Sequence, residues 1–320
     1  MGSLGVRFTQ LFWGLILIAL ILAIFYILTG SLSEIGFLLA SHPLQITFAS
    51  GLLAVEEAIK SQRFREAARA FGRKIKPSQA LKLHFASFGV GIITPAFSGG
   101  LPTMTAMLGD LLELSPSEAL GIALSVTFFD SVIPAIVSMA ISFTLLPFSV
   151  PIALMSVGVL LLWGVMLGSQ WINCAVKRFA EVLDSDRVRR YIEGEASSLR
   201  PILLHILSKR GAFLTLFLIS VISYILEASS ILVLMEMDPT QYLQALGALM
   251  LSYVGGNLPT PGGVGGVEYA LSLMIPRGVV VMWRVSYFLV GLAALVLLRD
   301  VVAHYIGYTR KIRATLVENH

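Results

Sequence analysis

A glutamate and an arginine stand in apolar sequence in the second half of this chain, and the arginine suits the binding of an anion. Residues 257–268 read NLPTPGGVGGVE, so Glu268 closes a motif rich in proline and glycine, and Arg284 lies in the next apolar run. A charge buried in a bilayer costs at least about 2.5–3.5 kcal/mol, which marks a candidate functional residue. The guanidinium of Arg284 fits phosphate oxygens in a bidentate manner. We therefore predict an anion clamp at Arg284, with a structural ion pair to Glu268 as the alternative.

The prolines and glycines of the same motif predict a break in a helix. Pro259 and Pro261 have no N–H donor and stop a helix, while glycine permits positive φ and close approach. The break would expose the N-terminus of a half-helix beginning at 263–266, where free N–H groups and the helix dipole favour an anion. A related sequence, TPAFSGG at 94–100, precedes another half-helix. The alternative is that the glycines only let two helix tips pack closely.

The candidate substrate-binding residues come from both broken motifs and from the two charges. They are Thr94, Pro95, Gly99, Gly100, Asn257, Pro259, Thr260, Pro261, Gly262, Gly263, Gly265, Glu268 and Arg284. Asp130 and Glu227 lie inside other apolar runs, and we predict that they carry protons or bind an amine headgroup, or else make polar contacts between helices. His84 is expected to pack at the membrane interface.

No catalytic residue, metal site or cofactor is predicted. The sequence offers no His-rich set, no paired Asp motif, and no Ser or Cys with an evident base. The single Cys174 excludes an internal disulfide and a Cys-based metal cluster. The chain is therefore not expected to be an enzyme.

The composition is that of an integral membrane protein. Of 320 residues, 56% are hydrophobic and 13% are charged, whereas soluble domains are about 25% charged. The mean hydropathy is +0.84. Apolar runs such as 11–28 and 152–171 reach the roughly 18 residues that cross a bilayer. The first run is interpreted as a retained helix rather than a secretory signal.

Basic residues indicate which parts of the chain face the cytoplasm. They cluster at about 60–82, 175–210 and 310–313. The positive-inside rule predicts that these clusters are cytoplasmic loops and that both termini are cytoplasmic. Glu56 and Glu57, which precede the first cluster, are expected to be solvated like the loops.

Fixing the basic clusters on one side requires an even number of crossings between them. Each interval contains two full-length apolar runs, which are 119–145 and 152–171, then 212–234 and 279–298. The broken segments 77–112 and 241–275 must then make no net crossing, as re-entrant hairpins do. The sequence therefore predicts an all-α polytopic membrane protein with about six full transmembrane helices and two re-entrant helical hairpins in an inverted-topology repeat.

The predicted repeat forms a single membrane domain over residues 1–320. Its first half lies within about 43–145 and its second within about 211–300. Transporters built on such repeats bind substrate near the midplane, where helices interrupted by Gly and Pro meet.

The motifs resemble those of the flippase-like transmembrane region of lysylphosphatidylglycerol synthases. The resemblance rests on NLPTPGGVGGVE at 257–268, on WRVSYFLVG at 283–291 and more loosely on TPAFSGGLP at 94–102, and it covers nearly the whole chain. It implies translocation of a phospholipid between leaflets. It also places family motif positions on Pro259, Pro261, Gly262, Gly263, Gly265, Glu268 and Arg284.

The chain also departs from that family. Leu101 and Met104 stand where family members often carry an acidic residue and an arginine. The soluble aminoacyl-transferase domain of the full synthases is not expected here, so the resemblance implies no lipid-modifying activity.

We therefore expect a lipid translocase of the cell (cytoplasmic) membrane. The expected partners are membrane lipids: an anionic or aminoacylated phospholipid, or a polyprenyl-linked lipid. No nucleic-acid partner is expected, and a homo-oligomer is left open. The alternative is a secondary transporter of a small anion or amino acid, for which a closed, water-filled vestibule would be expected instead of a lateral opening. No Gly-x-x-x-x-Gly-Lys-Ser/Thr motif occurs, so transport would be coupled to ions or potential, or would run downhill.

Overall fold

The computed structural model describes residues 32–144, 149–168 and 186–318. Helices joined by short turns fill these ranges. We number them α1 (Leu32–Ser41), α2 (Pro43–Lys60), α3 (Gln62–Ala70), α4 (Pro77–Ile92), α5 (Gly100–Leu112), α6 (Pro116–Thr144), α7 (Val150–Gly168), α8 (Asp186–Ser208), α9 (Arg210–Leu234), α10 (Tyr242–Gly255), α11 (Gly266–Ser272), α12 (Arg277–Ala294) and α13 (Leu298–Glu318). The predicted helix at 11–28 and the part of the second basic cluster at 175–185 lie outside the described residues.

Four of the described helices are long and apolar enough to cross a membrane. They are α6, α7, α9 and α12 with its extension to Leu297. Their bounds match the runs that the sequence assigns to full crossings, so the chain is an integral membrane protein. Only 17% of the apolar window of α7 is buried in the protein. Leu154, Leu161 and Leu162 of this helix are exposed, as expected for a helix that faces lipid.

The helix breaks predicted at both motifs are confirmed. α4 ends at Ile92 and α5 begins at Gly100, while α10 ends at Gly255 and α11 begins at Gly266. A Cβ added to Gly255 would lie 2.3 Å from the carbonyl oxygen of Gly266. The helices of the second pair therefore meet backbone to backbone at this end, and only glycine fits there.

The tips of the two helix pairs contact each other through their backbones. Pro95 and Pro261 form an antiparallel bridge. The N–H of Ala96 donates to the carbonyl of Thr260 at 3.0 Å, and the N–H of Gly262 donates to the carbonyl of Thr94 at 3.2 Å. Each motif contains a Thr-Pro step, and the equivalent residues around it exchange equivalent hydrogen bonds. A local two-fold axis therefore relates the two tips.

The two tips also share an unusual backbone conformation. Ala96 and Phe97 have φ values of 50° and 55°, and the equivalent Gly262 and Gly263 have 58° and 65°. The left-handed region suits glycine and strains other residues. The first tip thus adopts, with non-glycine residues, the turn that glycine forms in the second tip.

Two hydrophobic clusters hold these pairs against the crossing helices. One joins α2, α9, α10 and α12 around Leu53 and Leu249. The other joins α3, α4, α5, α6 and α9 around Phe64 and Ile122. The candidate site lies where helices of both clusters meet the paired tips.

Candidate functional site

A cavity of about 530 Å³ lies beside the paired tips, with walls from α2, α4, α5, α6, α7, α9, α10 and α12. Three of the residues predicted to bind substrate line it, namely Gly100, Asn257 and Arg284. Asp130 and Glu227, the predicted proton or headgroup carriers, line it too. The remaining predicted residues lie in or next to the tips and do not form its wall.

Arg284 is fully buried and presents one nitrogen that has no hydrogen-bond partner in the described part of the chain. Its Nε donates to Glu268 Oε1 at 2.6 Å, and its Nη2 donates to the carbonyl of Gly262 at 3.0 Å. The guanidinium carbon lies 4.4 Å from the ring centroid of Phe288. The unpartnered atom is Nη1. Because Arg284 lines the cavity, a ligand there can supply the missing acceptor.

Glu268 binds both the arginine and the start of its own helix. While Oε1 pairs with Arg284, Oε2 accepts the N–H of Gly265 at 2.6 Å. The structural ion pair considered from the sequence is therefore present. It leaves Nη1 of Arg284 unused, so the pair and an anion contact are compatible.

The prediction of free N–H groups at the start of α11 is wrong. Gly262 donates to Thr94, Gly263 to Thr260 and Gly265 to the Glu268 carboxylate. The N–H groups of Val264, Gly266 and Val267 donate to carbonyls within the motif. The tight turn folds these donors back on the motif itself, and no open anion site remains at this helix end.

The first tip is satisfied in a similar way. The hydroxyl of Thr94 accepts the N–H of Gly99 at 2.9 Å, and the N–H of Gly100 donates to Phe97 at 3.0 Å. A Cβ added to Gly100 would lie 3.2 Å from the carbonyl oxygen of Ser87. The close-packing role, which was the alternative for the glycines, agrees with this geometry at both tips.

Lys60 lies at the centre of a second charged group on the cavity wall. Its ammonium is 2.5 Å from Glu56 Oε1, 3.6 Å from Glu227 Oε2 and 3.8 Å from Glu57 Oε1. It also donates to the Tyr253 hydroxyl at 2.8 Å, and this hydroxyl donates to Glu227 Oε2 at 2.6 Å. One ammonium therefore serves three carboxylates.

The expectation that Glu56 and Glu57 are solvated is wrong, since their exposures are 0% and 3%. Lys60 and Arg63, counted in the first basic loop, are buried as well. The chain turns at the end of α2 and α3 packs inward, which brings these residues against α9 and α10. His84 is also buried, and its Nε2 is hydrogen-bonded to Glu57 Oε2 at 2.5 Å.

Arg63 and Asp130 form a bidentate ion pair between α3 and α6. Nη1 and Nη2 of the arginine lie 2.6 Å and 2.8 Å from the two carboxylate oxygens. Nη1 also donates to Ser220 of α9 at 3.1 Å. Asp130 thus makes the polar contact between helices that was one of its alternatives, and Glu227 makes another through Tyr253.

The family model for the lysylphosphatidylglycerol synthase TM region matches residues 11–298. The chain belongs to this family. The match spans both Pro/Gly tips, the acid-rich group around Lys60 and the Glu268–Arg284 pair. No individual curated protein matches the chain. Family membership and the membrane-crossing helices are consistent with a role that involves membrane lipids.

One side of the cavity is apolar and reaches the outer face of the protein. Leu101 and Met104 form part of this wall. Trp163 and Leu162 of α7 continue it, and Leu162 is 61% exposed. A charged group and an apolar opening toward the lipid-facing surface thus share one cavity.

Sequence reasoning did not assign Lys60, Tyr253, Trp283 or Tyr287 to the site. Trp283 and Tyr287 stack at 5.1 Å between ring centroids and both line the cavity beside Arg284. Their spacing of four residues on one helix face, around the arginine, was a usable signal. Lys60 and Tyr253 lie far apart in the sequence, and no local pattern joins them.

Proposed function

We propose that the protein is a lipid translocase that moves a phosphate-bearing headgroup between leaflets through this cavity. The observation that carries the proposal is Arg284, a fully buried cation with one unpartnered nitrogen, Nη1, on the wall of a cavity that the exposed Leu162 also lines. The headgroup would travel through the polar part of the cavity. The acyl chains would remain in lipid along α7.

A phosphate group fits the donor that Arg284 offers. Hydrogen bonds between arginine and phosphate are charge-assisted and stronger than neutral ones, and an unsatisfied buried donor is costly. Glu268 already balances the charge of Arg284, so the contact offered to the phosphate is the hydrogen bond from Nη1 and not a free positive charge. Asn257 of the second tip is exposed on the cavity wall and adds a polar contact.

The volume of the cavity supports the same class of ligand. Sites for small molecules are usually about 300–1,000 Å³, and this cavity of about 530 Å³ lies within that range. A headgroup and its phosphate fit there, whereas a whole phospholipid does not. The apolar side of the cavity gives the chains a way to stay outside.

We further propose that α4–α5 and α10–α11 are re-entrant hairpins that enter from opposite sides and meet at mid-depth. At 1.5 Å per residue, α4 and α10 are about 24 Å and 21 Å long, shorter than the roughly 30 Å of hydrocarbon. The two-fold pairing of their tips supports an inverted repeat within about 43–145 and 211–300. Irregular backbone is tolerated at that depth where it lies in protein or lines a cavity.

The alternative, a secondary transporter of a small anion or amino acid, would use the same arginine. A closed vestibule would favour it. The cavity reaches Leu162, whose side chain is 61% exposed on a lipid-facing helix. This opening supports the lipid over the small solute.

Leaflet exchange in proteoliposomes tests the proposal. Fluorescent phosphatidylglycerol, phosphatidylethanolamine, lysyl-phosphatidylglycerol and a polyprenyl phosphate would be scored separately by quenching of the outer leaflet. We expect wild-type protein to expose inner-leaflet probe of at least one class, and Arg284→Ala to abolish that movement. Arg277→Ala, at an exposed arginine at the start of the same helix, controls for the loss of a positive charge, and monodisperse elution of Arg284→Ala shows that it is folded. Movement of none of the four lipids would overturn the proposal, and uptake of a small anion in its place would favour the alternative.

A further inference from the structure

The charges around the cavity do not balance. Among the described residues around the cavity, acidic residues outnumber lysine and arginine residues. The Arg63–Asp130 and Arg284–Glu268 pairs are each neutral. The remaining charges are Glu56, Glu57 and Glu227 against Lys60, with His84 beside them.

We call these residues, Glu56, Glu57, Lys60, His84 and Glu227, the acid cluster. With all three carboxylates ionised, the cluster stays negative even if His84 is protonated. None of the five is more than 6% exposed. A buried charge without compensation is strongly unfavourable, so the cluster must hold an additional positive charge.

Two atoms of the acid cluster offer a place for that charge. Glu56 Oε2 is buried and has no hydrogen-bond partner among the residues that the structure describes. His84 Nδ1 is likewise buried without a partner in those ranges, although its Nε2 is bonded to Glu57. His84 also lines the cavity. A carboxylate oxygen and an imidazole nitrogen are both atoms that can bind a proton.

We propose that the acid cluster is a proton-binding site that couples proton movement to translocation, an inference that rests on the proposed function of the cavity. A proton enters the cavity from one side, binds at His84 Nδ1 or Glu56 Oε2, and leaves to the other side when the cavity reopens there. Chains of acidic residues and histidine perform this task in membrane pumps and transporters.

The position of the cluster explains why proton and lipid would move together. A lipid phosphate at Arg284 shares the cavity with the negative cluster, and like charges repel. A proton on the cluster removes part of that repulsion. Because binding linkage is reciprocal, phosphate binding then favours proton binding to the same degree. The two ligands are therefore expected to cross as symported partners.

A proton fits the cluster better than a cationic headgroup does. The Lys60 ammonium already occupies the space between the three carboxylates, and the cluster residues are nearly inaccessible. A headgroup amine would need that space, whereas a proton needs none. The charged and titratable groups that face the cluster from packed elements are Arg63 on α3, Asp130 on α6, Tyr224 on α9, Tyr253 on α10 and Tyr287 on α12, which itself interacts with Arg284.

The test measures lipid exchange and proton flux in the same proteoliposomes. Internal pyranine reports pH while a pH gradient of one unit is imposed. At one proton per lipid this gradient corresponds to about tenfold accumulation of the moved lipid. We expect wild-type protein to accumulate lipid toward the alkaline side and to carry protons only when lipid is present. Glu56→Gln and His84→Asn should each lose the gradient response while lipid still moves down its own gradient.

Glu66→Gln is the matched control, because Glu66 lies on neighbouring α3 and outside the cavity wall. It should retain both the gradient response and proton flux. Monodisperse elution of every variant shows that it is folded.

Lipid exchange that does not respond to the pH gradient in wild type would overturn the proton proposal and leave the translocase proposal standing. Absence of any lipid exchange would instead overturn the translocase. A Glu56→Gln variant could instead keep the gradient response and lose transport of phosphatidylethanolamine while still transporting phosphatidylglycerol. That result would show that the cluster binds an amine, and it would overturn the proton proposal.

Discussion

Pro95 and Pro261 pair across an antiparallel bridge, 166 positions apart in the chain, and their neighbours exchange hydrogen bonds about a local two-fold axis. The pairing uses the Thr-Pro step that the two motifs share. It fixes the tips of both helix pairs against each other and beside the cavity. A two-fold contact of this kind is what an inverted repeat would produce at its centre.

The tightness of the second tip predicts a large effect for Gly263→Ala. A Cβ at Gly263 would lie 2.5 Å from Gly256 Cα, and φ there is +65°. We expect a loss of about 3 kcal/mol or more in the free energy of unfolding, from overpacking and left-handed strain together. Thermal unfolding in detergent measures it.

Gly265→Ala is the matched control for that variant. Gly265 also has positive φ, +90°, but nothing lies within 4 Å of an added Cβ. Only the backbone strain of a sparsely populated conformation, about 1–3 kcal/mol, should remain. Equal losses in the two variants would show that the close contact between Gly263 and Gly256 within the second tip does not limit stability.

The Glu268–Arg284 pair predicts that removing one partner is far worse than removing both. Glu268→Ala leaves a fully buried arginine without its carboxylate, which should cost about 3–5 kcal/mol. Replacing both residues, as in Glu268→Ala with Arg284→Met, should restore a large part of that loss. Chemical or thermal unfolding of the single and double variants forms the cycle.

Lys82 and Asp300 provide the control for burial. Their charged atoms are also 2.6 Å apart, but the side chains are 59% and 39% exposed. Asp300→Ala should therefore change stability by less than about 1 kcal/mol. Comparable losses for Asp300→Ala and Glu268→Ala would contradict the assigned effect of burial.

Local sequence was sufficient to predict the helix breaks and the long crossing helices. Proline and glycine act on the residues next to them, so the ends of α4 and α10 follow from the motifs alone. The same reasoning failed for the N–H groups at the start of α11. Their acceptors include Thr94, a residue of the first tip, which no local pattern could supply.

The acid cluster illustrates the same limit. The charges of Glu56, Glu57 and Lys60 are typical of a solvated helix end when only their neighbours are considered. In the fold, Lys60 donates a hydrogen bond to Tyr253, which is 193 residues away. A charged residue near a basic loop therefore cannot be assigned to solvent from its neighbours alone, because long-range packing decides its environment.

The hydroxyl of Tyr253 is predicted to stabilise the acid cluster. It accepts from Lys60 at 2.8 Å and donates to Glu227 at 2.6 Å. Tyr253→Phe removes both bonds and should lower the free energy of unfolding by about 2–3 kcal/mol, since bonds to charged groups are the stronger ones.

Tyr242→Phe is the control on the same helix. Its bond to the carbonyl of Ile225 at 3.2 Å lies at an exposed position and should be worth about 1 kcal/mol or less. If the two variants lost the same free energy of unfolding, Tyr253 would have no special role in stabilising the acid cluster.

The lateral opening predicts that lipid headgroups contact one side of α7 and not the adjacent side. Leu162 lines the cavity and is 61% exposed, while Leu161 is 64% exposed and does not line it. Successive helix residues point about 100° apart. The two side chains therefore point in different directions, although their exposures are similar. A photoreactive amino acid at 162 should crosslink to phospholipid labelled in its headgroup several-fold more than one at 161. Crosslinking to lipid labelled in its acyl chain should be similar at both positions, because both side chains face lipid. Equal headgroup labelling at 161 and 162 would mean that the cavity does not admit the headgroup from this side.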